Sequence, residues 1–256
     1  MPFISIITVA RNNRAGLKRT AASIRDQEFR DFQWIIIDAV SNDGTGDDLE
    51  DYPATILCEP DDGPYDGMNK GIDLAIGDYI IFMNSGDQFA QTQTLQKIAD
   101  AVRYTQPDFI YGDSWETDGR RTAYKTARSY HKASKGMFTH HQSMLYKRSE
   151  IRELRYDLSY KIAADYDFTL QFLNKVETSL YLQIPICVFR SGGLSQKNVT
   201  LGRNEQFVIR QRHKTTSLPA NALTYAMQTV SWGIRAMTPG LYWRLKQRAP
   251  QDQDNS

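Results

Sequence analysis

Blocks of apolar residues alternate with amphipathic segments along the first hundred residues of the chain. Four apolar runs predict β-strands at residues 3–10, 32–38, 54–59 and 78–84. Apolar residues at helical spacing predict two helices between these strands, at 14–27 and about 66–76. Three of the strands are nearly all apolar, as expected where helices cover both faces of a sheet. The pattern therefore predicts an α/β fold with a Rossmann-like, mostly parallel sheet and helices on both faces.

The pattern becomes less regular after residue 105. Further strands are predicted at 108–115, 119–125 and 180–190, with loose alternation at 140–148, and helices at 164–176 and 204–248. The last helical stretch is interrupted near Pro219 and Pro239. We expect residues 1–200 to form one domain whose second half is a smaller mixed region. Residues 201–256 are predicted to form a helical, basic extension with a polar tail.

Polar residues crowd the ends of the four predicted strands. They are Thr8, Arg11, Asp38, Glu59, Asp61, Asn84 and Asp87. Ligands of open α/β sheets bind at the carboxyl ends of the strands, so this edge is the predicted ligand site. The first strand is followed by "ARNNRAG" and not by a G-x-G-x-x-G run, so NAD and FAD are not expected.

Composition fits a globular protein, since 41% of the 256 residues are apolar and 24% are charged. The net charge of +1 conceals two unlike halves. Residues 1–118 hold 9 Lys and Arg against 21 Asp and Glu, whereas residues 119–256 hold 22 against 9. The acidic half suits cations and the basic half suits phosphates or an anionic membrane surface, unless both are merely solvated faces. The basic residues are dispersed, which argues against nucleic acid as a partner.

Two cysteines, Cys58 and Cys187, lie in apolar runs and are predicted to be buried thiols without a disulfide. The first residues lack the basic segment of a signal peptide. No run approaches the roughly 18 apolar residues that a membrane span requires. A cytoplasmic, reduced protein is expected.

Asp87 closes the stretch "FMNSGD" (82–87) directly after a predicted buried strand. Such an acid either caps the next helix, which stabilises by about 1 kcal/mol, or binds a cation. Mg²⁺ often takes only one or two protein carboxylates, because substrate phosphates and water complete its shell. One acid therefore suffices for a metal site if the substrate is a diphosphate.

Four stretches together resemble the family 2 glycosyltransferases, which have the GT-A fold. They are "SIITVARN" (5–12), "IIIDAVSNDGT" (35–45), "EPDDGPYDGMNKGIDLAIGDYIIFMNSGD" (59–87) and "AADYDF" (163–168). The resemblance covers about residues 3–195 and is greatest to bacterial enzymes of exopolysaccharide and capsule assembly of the colanic-acid type. It implies a nucleotide-sugar half at about 1–115 and an acceptor half at about 116–200.

The resemblance implies a role for individual residues. Thr8, Arg11, Asp38, Asp61, Gly63, Asp66 and Asn69 match positions that hold the nucleotide sugar, Asp87 matches the metal ligand, and Asp165 matches the catalytic base. Asn84 and Gly86 stand where many members have two further carboxylates, so metal affinity without nucleotide should be weak. Asn84 either orients the sugar or holds a metal-bound water.

The implied reaction is transfer of a sugar from a nucleoside-diphosphate sugar to a saccharide acceptor. A divalent cation, Mg²⁺ or Mn²⁺, neutralises the leaving diphosphate while Asp165 deprotonates the acceptor hydroxyl. A single displacement then inverts the anomeric configuration. The alternatives are a non-catalytic sugar-nucleotide-binding protein on the same fold and a nucleotidyltransferase. For Asp165 the alternative is an acid that stabilises a helix N-terminus, and for Asp38 and Asp66 it is a turn or cap role.

Three further residues are candidates for contact with acceptor or phosphate. His141 and Gln142 form a pair in "HHQSM", although a partly buried structural histidine is the alternative, and Gly193 lies in "RSGGLS", which is otherwise a simple turn. Residues 222–248 mix aromatic and basic side chains and predict contact with an anionic membrane surface. Such contact suits an acceptor on a polyprenyl lipid and a protein peripheral on the inner face of the membrane. The alternative is a helix that packs on the domain or at an oligomer contact.

Overall fold

The computed structural model describes residues 1–47 and 53–238. The strands are β1 (Ile4–Ala10), β2 (Phe32–Asp38), β3 (Ala54–Cys58), β4 (Tyr79–Phe82), β5 (Gln88–Phe89), β6 (Phe109–Thr117), β7 (Thr122–Lys125), β8 (Met144–Lys147) and β9 (Ser179–Arg190). The helices are α1 (Arg14–Arg25), α2 (Pro64–Leu74), α3 (Thr94–Val102), α4 (Arg148–Ile151), α5 (Ala164–Leu173), α6 (Leu194–Lys197), α7 (Val199–Arg212) and α8 (Leu218–Met237). Two short 3₁₀ helices span Tyr130–Lys135 and His141–Ser143.

The strands of the described residues form one sheet in the order β3-β2-β1-β4-β8-β6-β9-β5, with β7 paired to β6. The first four strands in this order run parallel to one another. Beyond them the sheet is mixed, because β8 is antiparallel to both β4 and β6 while β6 and β9 are parallel. The predicted α/β fold, with a parallel part and a mixed part, is confirmed.

Helices bury both faces of β1. Ile7 and Val9 of β1 face one apolar cluster with Met68 of α2, while Ile4 and Ile6 face a second cluster that includes α1 and α3. All seven residues of β1 are buried, which explains the continuous apolar pattern of this strand.

Helix α2 begins at the strand ends that carry the predicted site. Gly63 precedes the helix with a φ of 119°, a conformation that favours glycine, and Pro64 occupies the first turn. Gly71 lets the helix approach β1 closely, because a Cβ atom there would lie 2.4 Å from Cγ2 of Ile7. These residues hold the N-terminus of α2 beside the carboxyl end of β1.

Two expectations from the sequence are corrected. Cys58 is exposed and not buried, because β3 is the edge strand of the sheet, whereas Cys187 is buried and both thiols are free. The predicted helical stretch is interrupted near Pro219 as expected, since Pro219 lies in the first turn of α8, but its first helix, α7, begins at Val199 and not at residue 204. The domain boundary at residue 200 stays a prediction, and residues 239–248 lie outside the described part of the chain. None of the helices in residues 1–47 and 53–238 has the length and apolar character needed to cross a membrane.

Candidate active site

A cavity of about 590 Å³ lies at the carboxyl ends of β1 and β4. The N-termini of α2 and α5, the segment that follows β9 and residues 137–142 contribute to its wall. Seven residues of the predicted site line it: Arg11, Asn84, Asp87, His141, Gln142, Asp165 and Gly193. The fold therefore brings side chains from both halves of the sequence to one place.

Asp87 is buried, with 6% of its surface exposed, and both of its carboxylate oxygens accept hydrogen bonds. Oδ2 accepts from Nε2 of Gln142 at 2.8 Å, and Oδ1 accepts from the backbone N–H of Arg190 at 2.9 Å. Burial raises the pKa of Asp87 to about 7 against the lowering effect of these two bonds. The next helix, α3, has Gln93 as its cap, so Asp87 is not a helix cap.

The loop around Asp87 is fixed from α1. The hydroxyl of Thr20 accepts from the N–H of Gly86 at 2.9 Å and donates to the carbonyl of Asp87 at 2.7 Å. Nδ2 of Asn13 donates to the carbonyl of Ser85 at 2.9 Å. Thr20 and Asn13 thus hold the backbone that presents Asn84 and Asp87 to the cavity.

Two oxygen-bearing side chains of this loop, Asn84 and Asp87, are of the type that binds a hard divalent cation. Oδ1 of Asn84 is a buried oxygen without a hydrogen-bond partner among the described residues, so it has capacity to accept from a water or to contact a ligand. An amide oxygen and the Asp87 carboxylate are ligands that Mg²⁺ and Mn²⁺ accept. Among the described residues, no group of three or more His, Cys, Asp or Glu side chains is placed to hold a metal ion.

Asp165 lies in the first turn of α5 and is half-buried. Its Oδ1 accepts a hydrogen bond from the N–H of Tyr166 at 2.9 Å and lies 3.4 Å from the hydroxyl of Tyr65. Burial raises the pKa of Asp165 to about 6. Both contacts end on Oδ1, which leaves Oδ2 as the oxygen with capacity to take a proton from a ligand. A carboxylate with this pKa is suited to general-base work near neutral pH.

Asp167, two residues further along α5, has a different environment. It is fully buried, its Oδ1 lies 2.8 Å from Nε2 of His213, and its Oδ2 accepts from Nε2 of Gln171 at 2.7 Å. Asp167 therefore links α5 to the end of α7 and is not part of the cavity wall.

His141 is buried in the wall of the cavity. Its Nε2 lies 2.9 Å from the hydroxyl of Tyr156, and its ring stacks on Phe82 at 5.0 Å between centroids. Burial lowers the pKa of His141 to about 3, so the ring is neutral. These contacts fit the alternative of a structural histidine. Contact between His141 and a ligand stays a prediction.

Four basic side chains that the sequence did not single out line the cavity together with Arg11. They are Arg19, Lys125, Lys161 and Arg190. Nε of Arg19 is buried without a hydrogen-bond partner among the described residues, and burial together with the charge of Arg190 lowers the pKa of Arg19. The four come from separate parts of the fold, so no local motif pointed to them. Their charge favours an anionic ligand.

Six predicted nucleotide-binding residues do not line this cavity. They are Thr8, Asp38, Asp61, Gly63, Asp66 and Asn69. Thr8 is fully buried and its hydroxyl accepts from the indole N–H of Trp34 at 3.0 Å. Asn69 bonds both the N–H and the carbonyl of Tyr156, at 2.8 and 3.1 Å. The bonds of Thr8 and Asn69 show that both residues have a structural role. Ligand contact by any of the six residues stays a prediction.

Three of these residues are aspartates held in local turns. Asp38 accepts from the N–H of Ser41 at 3.0 Å, and Asp61 accepts from the N–H of Gly63 at 3.0 Å. Asp66 accepts from the N–H of Asp62 at 3.1 Å. The turn roles weighed for Asp38 and Asp66 are therefore present in the structure.

The sheet order and the polar cavity at its carboxyl edge define a GT-A type of protein. A family model described as Glycosyl transferase family 2 matches residues 5–164, which is more than half of the chain. The chain belongs to glycosyl transferase family 2. It is 29% identical over 207 residues to a PGL/p-HBAD biosynthesis glycosyltransferase of Mycobacterium bovis, with 76% of this chain and 79% of that protein covered.

Solved structures of other proteins share the fold. Residues 1–349 of TarS from S. aureus, in complex with UDP-GlcNAc, give a TM-score of 0.69 at 15% identity, covering 88% of this chain and 71% of that one. A longer TarS chain is only 39% covered. The mannosyltransferase PcManGT from Pyrobaculum calidifontis, in complex with GDP-Man and Mn²⁺, gives a TM-score of 0.59 at 12% identity, covering 96% and 84%.

Proposed function

We propose that the protein transfers a sugar from a nucleoside-diphosphate sugar to a hydroxyl of a saccharide acceptor, with inversion at the anomeric carbon. One observation carries this proposal. The half-buried carboxylate of Asp165, whose pKa of about 6 leaves it ionised at neutral pH, lines the same cavity as Asp87 and a set of basic side chains. Membership of glycosyl transferase family 2 supports the reaction class.

In the proposed reaction Asp165 takes the proton of the acceptor hydroxyl as that oxygen attacks the anomeric carbon. Tyr65 and the N–H of Tyr166 hold Oδ1 of Asp165 and so fix the direction in which its other oxygen points. Arg19 and Arg190 provide positive charge for the leaving diphosphate. Because Asp165 acts as a base and not as a nucleophile, a single displacement inverts the configuration.

We propose further that Mg²⁺ or Mn²⁺ takes part. Asp87 and Oδ1 of Asn84 would hold the ion, and the unpartnered state of that oxygen supports this assignment. When bound, the ion supplies neutralisation of charge on the leaving diphosphate. The neighbour PcManGT was solved with GDP-Man and Mn²⁺, which is in keeping with this proposal.

The acceptor that we propose belongs to cell-surface glycan assembly. The mycobacterial relative is named for PGL/p-HBAD biosynthesis, and the TarS structure holds UDP-GlcNAc. We infer a saccharide acceptor, carried on a polyprenyl lipid and used at the inner face of the cytoplasmic membrane.

Helix α8 supports contact with that membrane surface. Leu223, Met227, Val230, Ile234 and Met237 are 53–77% exposed. Their spacing of four, three, four and three residues places them on one face of the helix, here called the α8 stripe. Residues 206–250 contain seven Lys and Arg and no Asp or Glu. An apolar stripe within a purely basic segment suits an anionic bilayer surface.

A non-catalytic nucleotide-sugar-binding protein is the second candidate. The observation in its favour is that "NSGD" offers one carboxylate, both oxygens of which already accept hydrogen bonds. It differs from the first candidate in one measurable respect, since a binding protein has no use for a base at Asp165.

The test separates binding from transfer. Calorimetric titration of UDP, GDP, ADP, CDP and dTDP, each with and without Mn²⁺, identifies the base. Release of that nucleoside diphosphate from its sugar donors is then measured with a bacterial lipid extract as the acceptor pool. Asp165→Asn should reduce extract-dependent release by about 100-fold or more while nucleotide affinity stays near wild type.

Asp100→Asn is the matched control, because Asp100 is exposed on α3, and it should keep both properties. Equal loss of binding and release in Asp165→Asn would make Asp165 structural. Full release in that variant would contradict the proposed base.

A further inference from the structure

The loop that leads into α5 is held by a single side chain from α7. Oε1 of Glu205 accepts from the N–H of Lys161 at 2.8 Å, and Oε2 accepts from the N–H groups of Ile162 and Ala163, each at 2.8 Å. Glu205 lies beyond the family-model match, which ends at residue 164. Helix α7 thus supplies the hydrogen-bond acceptors for three N–H groups of a loop that lies mostly within the matched region.

Glu205 is buried, with 8% of its surface exposed, and has no ion-pair partner among the described residues. A buried carboxylate without a cation is costly unless hydrogen bonds replace its hydration. The three N–H groups meet this requirement, as they lie just before the positive end of α5.

The loop held by Glu205 also holds Asp165. Ala163 is the cap of α5, and Asp165 follows two residues later. The carbonyl of Ile162 accepts from the Tyr65 hydroxyl at 2.6 Å, and the same hydroxyl lies 3.4 Å from Oδ1 of Asp165. A shift of Ile162 therefore moves Tyr65, and with it one of the two contacts that orient the base.

Glu205 also acts on Asp165 through its charge. Burial makes the largest contribution in raising the pKa of Asp165, and the negative charge of Glu205 adds to it. The other ionisable groups that face Asp165 are Tyr65 from α2, Tyr146 from β8 and Tyr156 from the segment before α5. Burial raises the pKa of each of these tyrosines, so they are neutral, and Glu205 is the carboxylate whose charge acts on Asp165, while Lys161 lines the same cavity.

We propose that Glu205 is a positioning residue for Asp165, which holds the 161–163 loop in place and keeps the base carboxylate poised through its own charge. The inference rests on the proposed function, because it gives Glu205 a role only if Asp165 is the base. It extends the catalytic apparatus into α7, a helix that lies wholly beyond the family-model match.

Two substitutions separate position from charge. Glu205→Gln removes the charge and one of the two acceptor oxygens, while Glu205→Asp keeps the charge and shortens the reach. Both should lower extract-dependent release of nucleoside diphosphate about 10- to 100-fold, because small displacements of a catalytic group have effects of that size. Nucleotide affinity by calorimetry should stay near wild type in both. Glu153→Gln is the control, because Glu153 is exposed and loses the same charge.

The pH profile supplies the readout that a merely structural role would leave unchanged. Removal of the Glu205 charge makes ionisation of Asp165 easier, so the acid limb of release in Glu205→Gln should move to lower pH. Glu205→Asp keeps the charge, so the acid limb of its pH profile should stay where it is in wild type. If Glu205→Gln does not fold, the rate of release by Glu205→Asp is the measurement that tests the proposal. An unmoved limb in Glu205→Gln, or wild-type release in Glu205→Asp, would overturn the proposal. Failure of the proposed function would look different, because Asp165→Asn would then keep its release.

Discussion

Gln142 donates a 2.8 Å hydrogen bond from Nε2 to Oδ2 of Asp87, and so ties the His141–Ser143 3₁₀ helix to the loop after β4. The N–H of Arg190 holds the other carboxylate oxygen from the end of β9. Three distant segments therefore meet at one carboxylate. Neither bond neutralises Asp87, because one comes from an amide and the other from the backbone. Both oxygens of the carboxylate are thus fixed in direction, while burial raises its pKa to about 7.

Gln142→Ala should weaken the part of nucleotide binding that depends on a cation. Loss of the amide lets the Asp87 carboxylate rotate, and outer-shell partners of metal ligands are commonly worth about 10- to 100-fold in metal affinity. The measurement is calorimetric titration of the preferred nucleoside diphosphate with and without Mn²⁺. Affinity without Mn²⁺ should change little.

Gln93→Ala is the control, because the Gln93 side chain is exposed and makes no capping bond to α3. A loss in Gln142→Ala that is equal with and without Mn²⁺ would contradict a role through Asp87. It would point instead to direct contact between Gln142 and the nucleotide.

Tyr65→Phe should move the acid limb of the release profile to higher pH. The base acts when it is ionised, so wild-type release should rise with pH through about 6, the pKa to which burial raises Asp165. The hydrogen bond from Tyr65 lowers that pKa, and its loss therefore raises it. The initial rate of nucleoside diphosphate release between pH 5 and 8 checks the direction.

Tyr104→Phe serves as the control, because Tyr104 is 89% exposed. The shift for Tyr65→Phe is opposite in sign to the one expected for Glu205→Gln. A displacement of both limbs in the same direction would contradict the roles given to these two side chains.

The parallel half of the fold could be predicted because strands that are buried on both faces are continuous runs of apolar residues in the sequence. The prediction for β2 matches the observed bounds, Phe32–Asp38. Helix α3 was missed although Leu95, Ile98 and Val102 have helical spacing and are buried. The two-residue strand β5 leaves no pattern at all, because its pairing with β9 is a tertiary contact.

The site residues also fall into those that could be predicted from the sequence and those that could not. Asp87 and Asp165 were predicted, and both line the cavity. Arg190 and Glu205 were not, because the bond from Arg190 to Asp87 spans 103 residues and those from the 161–163 loop to Glu205 span 42 to 44. Contacts at such separations have no signature in local spacing. The extra roles of Asn69 and Thr8 were hidden for the same reason, since their partners are Tyr156 and Trp34.

The α8 stripe leads to the last prediction, which concerns vesicles. The protein should sediment with vesicles of phosphatidylglycerol and not with vesicles of phosphatidylcholine, and added salt should release it, because the surrounding segment is purely basic. Met227→Glu combined with Ile234→Glu places two carboxylates in the apolar face, where burial in a bilayer surface is unfavourable. This variant should lose most of its vesicle binding and keep its nucleotide affinity.

Ala222→Glu combined with Thr229→Glu is the charge-matched control, because both residues are exposed on α8 but lie off the stripe. If the two double variants bind vesicles equally weakly, net charge alone explains the effect and the stripe has no part in it. If wild type is instead a dimer in solution that Met227→Glu and Ile234→Glu dissociate, the stripe contacts a second copy of the chain. Retained binding in the stripe variant alongside wild-type binding would exclude the stripe from the membrane contact altogether.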